Sequence, residues 1–352
     1  MTLSPVFRSA EAVRVLKAEG IWDQLGPAAR GQADAIANVR RDLPLVLDER
    51  YIDEGLAASE ASKKFIDLEF VQEFFFLILF RAVLQAIGLP PAGLELCSEL
   101  NFCIKGTITA ADNLFDDQNK ALLPFKIGEG VRFASILQLL AFERLARRTL
   151  DRGQRSGAIT GSSAEQFQRE LLSRMAAIGS LEGSEEAGID GVLEPGRMVE
   201  EVHRVRGGAL FELAFIAPRL LEGPIDPSVL SRAQMAISKL GTAFQIVDDL
   251  TDFEFDVARR RHNLLVSQIT HCGTAVERTR LAALLKTAPI AGDVVREVFL
   301  DSARAVIQRG KIETDEALEE LQLLGFWFPP ELGDQLLRAI VGLDGVERMR
   351  GL

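Results

Sequence analysis

Apolar residues in this chain recur every three to four positions over long stretches, the spacing of one face of an α-helix. The pattern predicts helices over roughly 8–19, 27–41, 64–87, 92–118, 128–152, 163–178, 196–222, 227–256, 274–287, 291–309, 314–323 and 330–341. Strand-like alternation bounded by hairpin dipeptides is almost absent, and no internal repeat stands out. Gly88-Leu89-Pro90-Pro91, Leu123-Pro124, Gly223-Pro224 and Phe328-Pro329-Pro330 supply the breaks. The Gly- and Ser-rich stretch 152–163 reads as a loop, and the Gly- and Glu-rich stretch 179–195 as a lid or a connection. The most apolar run, Phe74 to Leu89, is interrupted by Arg81 and Gln85, so it reads as a buried helix and no transmembrane segment is expected. No composition shift marks a boundary. The expectation is one all-α domain over 1–352, with 1–60 as an N-terminal extension.

Composition narrows the class. With 47% hydrophobic and 26% charged residues the chain is ordinary for a globular protein with a sizeable core. A formal charge of −11 argues against a nucleic-acid surface and says nothing against a phosphorylated ligand held through metal. Cys97, Cys103 and Cys272 lack metal-ligand spacing, and their odd number suggests reduced thiols and a cytoplasmic location. The first residues lack the layout of a signal peptide.

The candidate chemistry lies in two acidic clusters at the C-terminal ends of apolar helical stretches: Asp112, Asp116 and Asp117, then Asp248, Asp249, Asp252 and Asp256. Carboxylates four apart on a helix lie roughly 40° apart on one face. Asp112 and Asp116 therefore align, as do Asp248, Asp252 and Asp256, with Asp249 one step around. Stacked like charges destabilise a helix, and a hard cation relieves that repulsion. Mg²⁺ binds oxygen, typically through one or two carboxylates plus substrate phosphates. Two such rows fit a metal–diphosphate site.

The segment 241–252, with Phe244-Gln245 ahead of Asp248-Asp249, resembles the second aspartate-rich motif of trans-polyprenyl diphosphate synthases, members of the class I isoprenoid synthase superfamily. The match continues through Asp256 to Asn263-Leu264-Leu265. Arg206-Gly207-Gly208-Ala209-Leu210-Phe211-Glu212 is similar to the family's helix with a diphosphate-contacting lysine, Arg206 standing in its place. Asp112 to Asp117 falls where the first motif belongs, so the resemblance spans about 95–265. It implies an isoprenoid synthase helical bundle with a central apolar cavity, a prenyl diphosphate substrate, three Mg²⁺ ions bound with the diphosphate, and a homodimer.

Three departures shape the functional reading. The first motif is D-x-x-x-D-D, closer to the form in terpene cyclases and in squalene or phytoene synthases. Gln118-Asn119-Lys120 stands where the family has an arginine pair, and the early Gly-Lys-x-x-Arg signature is absent from the first 95 residues. Both missing elements serve a second substrate. The leading expectation is thus a terpene synthase that ionises one prenyl diphosphate and cyclises or rearranges the cation. The alternative is a prenyltransferase, by chain elongation or head-to-head condensation. A silent regulatory subunit is a third reading, against which the intact clusters count.

On this reading Asp112, Asp116, Asp117, Asp248, Asp249, Asp252 and Asp256 hold metal, with Asp112, Asp116, Asp248 and Asp252 the catalytic core. Arg206 and one or more of Arg259, Arg260 and Arg261 offer forked hydrogen bonds to phosphate. Lys105, seven residues before Asp112, faces the same way. Phe115, Phe211, Phe244 and Gln245 line the site, and 21 Phe against one Tyr supply aromatic surface without nucleophilic hydroxyls. Phe74, Phe80, Phe102 and Phe215 are further lining candidates, each equally a core residue. Thr107 and Ile108 form the cavity floor. Without a ring there, the cavity extends toward Ser98, Cys103 and Ile104, which favours farnesyl or geranylgeranyl over geranyl diphosphate. His203, His262 and His271 show no metal spacing and read as incidental.

Overall fold

The computed structural model describes residues 22–53, 68–115, 119–126, 130–221, 225–286 and 294–328, with Ala18 and Gly20 ahead of them. Apart from Ala18, the helices expected at 8–19 and 330–341 lie outside these residues. The regular elements among the described residues are helical, and the only β-type pairing is an isolated bridge between Ile52 and Phe125. The chain forms two compact units, one of Gly20–Glu170 with Leu213–Leu230, the other of Leu171–Glu212 with Ser231–Leu352.

The first unit is built on α1 (Trp22–Arg41), α2 (Leu68–Ala86), α3 (Pro91–Phe115) and α4 (Val131–Arg155), and the start of α5 (Gly161–Ser184). Its most extensive pairing is α3 along α4. Gly106 makes that approach possible, because a Cβ there would sit 2.1 Å from the Phe142 ring. Phe102 meets Phe142 edge-on at 5.3 Å and Phe74 at 6.0 Å, all three rings buried. Arg152 pairs with Asp42 and with the buried Glu99, tying α4 to α3 and to the end of α1. Helix α2 kinks at Phe74 (φ −114°, ψ 18°). None of the described helices is long and apolar enough to cross a membrane. Arg81, in the apolar run, is paired internally: its Nη1 stands 3.5 Å from Glu95 Oε2 and donates to the Ser98 hydroxyl at 2.6 Å.

The second unit contains the 231–251 part of α6 (Pro227–Thr251), α7 (Phe253–Arg259), α8 (Leu264–Cys272), α9 (Ala275–Leu284) and α10 (Leu300–Leu323). The expected helix 196–222 is not one α-helix. It contains a π-helix, Val199–Gly208, and a 3₁₀ turn, Leu213–Phe215. Met198, Val202, Ile246, Leu250, Phe253, Leu265, Ile269 and Phe299 form the core. Helix α8 was not expected after the arginine run; the Asn263 side chain starts it by accepting the N–H groups of Leu265 and Val266. The helices expected at 291–309 and 314–323 are instead a short helix, Val294–Val298, followed by one continuous helix, α10. Gly310 lies within it, where a Cβ would stand 2.9 Å from Val247, so the glycine lets α10 pass close to α6.

Candidate active site

Helix α6 ends at Thr251 and the chain bends at Asp252 (φ −94°, ψ 7°). The i→i−4 hydrogen bonds nevertheless continue, Asp252 N–H to Asp248 O at 2.9 Å and Asp256 N–H to Asp252 O at 2.8 Å. Asp248, Asp252 and Asp256 therefore stay in one line, with Phe244 one turn ahead. Asp252 is exposed, Asp248 half-buried and Asp256 buried.

Asp249 turns inward and is 3% exposed. Its Oδ2 lies 2.8 Å from His203 Nε2 and also accepts the Leu264 N–H. Asp256 accepts Asn263 Nδ2 at 2.9 Å, and the same amide donates to the Asp249 carbonyl at 2.7 Å. These two aspartates fasten the acidic row to the start of α8 and to the π-helix. Burial, then the charges of Asp252, Asp249 and Asp256, push the Asp248 carboxyl well above the usual carboxylate range, against a pull from Arg206. Burial and the Asp249 charge raise Asp256 to about 8, despite its bond to Asn263.

Arg206 ends the π-helix beside two glycines. A Cβ on Gly207 would lie 2.4 Å from the Gly241 carbonyl, and one on Gly241 2.3 Å from the Gly207 carbonyl, so the π-helix and α6 touch backbone to backbone. Arg206 Nη2 donates to Glu185 Oε1 at 2.6 Å, and Nε stands 3.8 Å from Glu182. That Nε is buried and makes no hydrogen bond. His262 Nδ1 lies 2.9 Å from the same Glu185 oxygen. The Phe211 and Phe244 rings stack at 6.2 Å, and Gln245 is half-buried beside Gly207.

The arginine run divides. Arg260 adopts a left-handed conformation (φ 54°) and donates to the Ile189 carbonyl at 2.7 Å, while Ile189 N–H returns a bond to Arg260 O at 2.8 Å. Arg259 and Arg261 stack over Phe255, at 3.9 and 5.2 Å from its centre. Of the stretch 179–195, expected as a lid or a connection, the first part continues α5 to Ser184, and the rest is pinned by Arg260, by Ser267 to the Leu193 carbonyl, and by His271 to the Val192 carbonyl.

In the first unit, Asp112 is exposed at the end of α3; Asp116 and Asp117 lie outside the described residues. Asn113 exchanges two hydrogen bonds with the Lys120 backbone, at 3.0 and 3.1 Å, and folds the chain back. Phe115 is 58% exposed. Lys105 lies 5.9 Å above the Phe74 ring; burial lowers its pKa against the charges of Glu73 and Asp112. Thr107 and Ile108 are half-buried, the Thr107 hydroxyl bonded to the Cys103 carbonyl. The buried Ser98 hydroxyl accepts from Arg81 and donates to the Leu94 carbonyl. A cavity of about 490 Å³ opens beside Asn113, Lys120, Phe125, Val131, Ser135 and Gln138.

His203, Glu185 and His262 were missed as members of the site. Their partners lie 46, 21 and 77 residues away, with no local pattern to announce them. Among the described residues, no group of three His, Cys, Asp or Glu side chains is gathered to hold a metal alone.

No family model matches the chain, and no curated protein sequence does. Solved structures do. A polyprenyl synthetase from Streptomyces coelicolor A3(2) superposes with a TM-score of 0.59 at 16% identity, covering 89% of this chain and 98% of its own. A decaprenyl diphosphate synthase from Rhodobacter capsulatus gives 0.57 at 16%, covering 90% and 99%. A polyprenyl synthase from Caulobacter crescentus, complexed with calcium and isoprenyl diphosphate, gives 0.56 at 14%, covering 99% of both chains. The chain has the all-α fold of the polyprenyl diphosphate synthases.

Proposed function

We propose that this chain, on its polyprenyl synthase fold, is a divalent-metal-dependent enzyme that ionises a prenyl diphosphate and transfers the prenyl group, a prenyltransferase. The carrying observation is the Asp248–Asp252 row, one turn apart, fastened through its neighbours Asp249 and Asp256 to His203 and Asn263. The fold likeness moves the prenyltransferase ahead of the terpene synthase that motif departures alone favour.

The donor set fits Mg²⁺. Asp248 and Asp252 are hard oxygen ligands whose crowding a dication relieves, and the two leave coordination positions for phosphate oxygens. Asp249 and Asp256, engaged with His203, Leu264 and Asn263, orient that pair as outer partners orient ligands. When bound there, Mg²⁺ supplies charge neutralisation of the departing diphosphate. Arg206, with an unsatisfied buried Nε, is shaped to fork onto phosphate oxygens. Phe244, one turn before Asp248 and stacked on Phe211, offers an apolar aromatic face to an allylic cation. Asp112, Asp116 and Asp117, the three-ion count, the homodimer, the single-domain reading and the cytoplasmic location enter the proposal from the resemblance and the sequence.

A terpene synthase remains the second reading, favoured by Gln118-Asn119-Lys120 in place of the arginine pair. The test incubates the full chain and Mg²⁺ with geranyl, farnesyl and geranylgeranyl diphosphates, with and without isopentenyl diphosphate. A longer diphosphate formed only with isopentenyl diphosphate supports the proposal. Hydrocarbon or alcohol from one substrate alone supports the second reading. No consumption under any condition overturns both.

A further inference from the structure

Glu185 is an odd residue to find against Arg206. Its side chain is 1% exposed, yet it sits at the first position after α5. One oxygen, Oε1, meets both Arg206 Nη2 at 2.6 Å and His262 Nδ1 at 2.9 Å, and Oε2 receives the His262 N–H at 3.3 Å. The carboxylate thus engages two basic side chains and a backbone amide, as a phosphate oxygen pair would. The match is incomplete on the arginine, where Nε is buried without a hydrogen bond and Glu182 stays at 3.8 Å. A guanidinium fork satisfied on one prong keeps a donor that a bidentate acceptor would satisfy.

The same carboxylate anchors one end of the 185–194 segment. Gly188 N–H bonds to the Glu185 carbonyl at 2.9 Å, and Ile189 and Arg260 exchange two hydrogen bonds directly beyond. Release of the Glu185 carboxylate removes the side-chain anchor at the near end of that segment and leaves the Ile189–Arg260 pair as its next tie.

We propose that Glu185 is a built-in stand-in for the ligand anion, and that a diphosphate displaces it from Arg206 and His262 and loosens the 185–194 segment. This rests on the reading of Arg206 as a diphosphate contact. It adds His262 as a second contact and makes binding a competition between two anions for the Arg206–His262 pair. Glu185 thereby sets a threshold that favours doubly charged diphosphate over weaker anions.

The test measures inorganic pyrophosphate binding, with Mg²⁺, to the full chain by calorimetry for wild type, Glu185→Gln and Arg206→Gln. Removing the competing charge should tighten binding by at least about fivefold in Glu185→Gln, while Arg206→Gln weakens it. Hydrogen exchange on the wild type serves as a second readout that needs no variant: the amides of Gly188 and Ile189 should exchange faster with pyrophosphate bound. Equal or weaker binding by a folded Glu185→Gln, or slower exchange at 188–189, overturns the proposal. If Glu185→Gln does not fold, the exchange result decides. A wild type that turns over prenyl diphosphate but shows neither effect loses the stand-in and keeps the proposed function. Absence of both turnover and pyrophosphate binding in every form removes both.

Discussion

His203 Nε2 and Asp249 Oδ2 lie 2.8 Å apart although 46 residues separate them in sequence, and both side chains are almost fully buried. The bond links the π-helix to the end of α6 where the acidic row begins. His203→Ala would leave a buried carboxylate with one donor fewer, which costs on the order of 3 kcal/mol. Urea unfolding should show the loss, and His203→Gln should recover part of it. An unchanged midpoint in His203→Ala would mean that the pair carries no stability.

Asp248 and Asp252 separate stability from activity. Asparagine at either position should lower Mg²⁺-dependent turnover by about 100-fold or more. The Asp248→Asn apo protein should melt higher at neutral pH, because it no longer buries a carboxyl among three others. Near-normal turnover in both variants would remove these residues from the site.

The apo protein should lose stability as pH rises. The Asp256 carboxyl has a value of 3.8 unfolded and about 8 folded, raised chiefly by burial and by Asp249. Between those values the folded form holds a proton that the unfolded form has lost, so this contribution is full below 3.8 and gone above about 8. Thermal midpoints of wild type and Asp256→Asn across that range test it. The wild type should fall more steeply, and parallel curves would refute the assignment.

Gly241→Ala probes the backbone contact beneath Arg206. Its Cβ would stand 2.3 Å from the Gly207 carbonyl and 2.8 Å from Phe211, so the π-helix must move. Overpacking of this kind costs about 3 kcal/mol. Turnover should drop further than the folded fraction does, because Arg206 moves with Gly207. Full activity in the folded fraction would show that the placement of Arg206 is not critical.

Much of the architecture was legible because it is local. Apolar spacing located α3, α4 and α6, and the four-residue step from Asp248 to Asp252 predicted a shared face that survives the bend. What failed was decided across space. Nothing near Ser98 signals that Arg81, seventeen positions earlier, donates to its hydroxyl. The arginine run hid the start of α8, since the capping role of Asn263 shows only once its amide also reaches Asp249 and Asp256. Histidines without metal spacing read as incidental, yet His203 and His262 each complete a buried contact with a carboxylate.

The π-helix at Val199–Gly208 has a consequence for how this chain tolerates change in length. A π-helix carries more residues per turn than the α form and is generally the less favoured of the two, found mostly as short bulges at functional sites. Deleting one residue between 199 and 202 would let the backbone relax into an ordinary α-helix, a change that local energetics welcome. Each residue of an α-helix turns through about 100°, so the deletion would also rotate the residues before it against His203, Arg206 and Gly207, and either the Met198 packing or the His203–Asp249 and Gly207–Gly241 contacts would be lost. The stretch where the backbone would most readily accept a deletion is the stretch where the site depends on every residue being present.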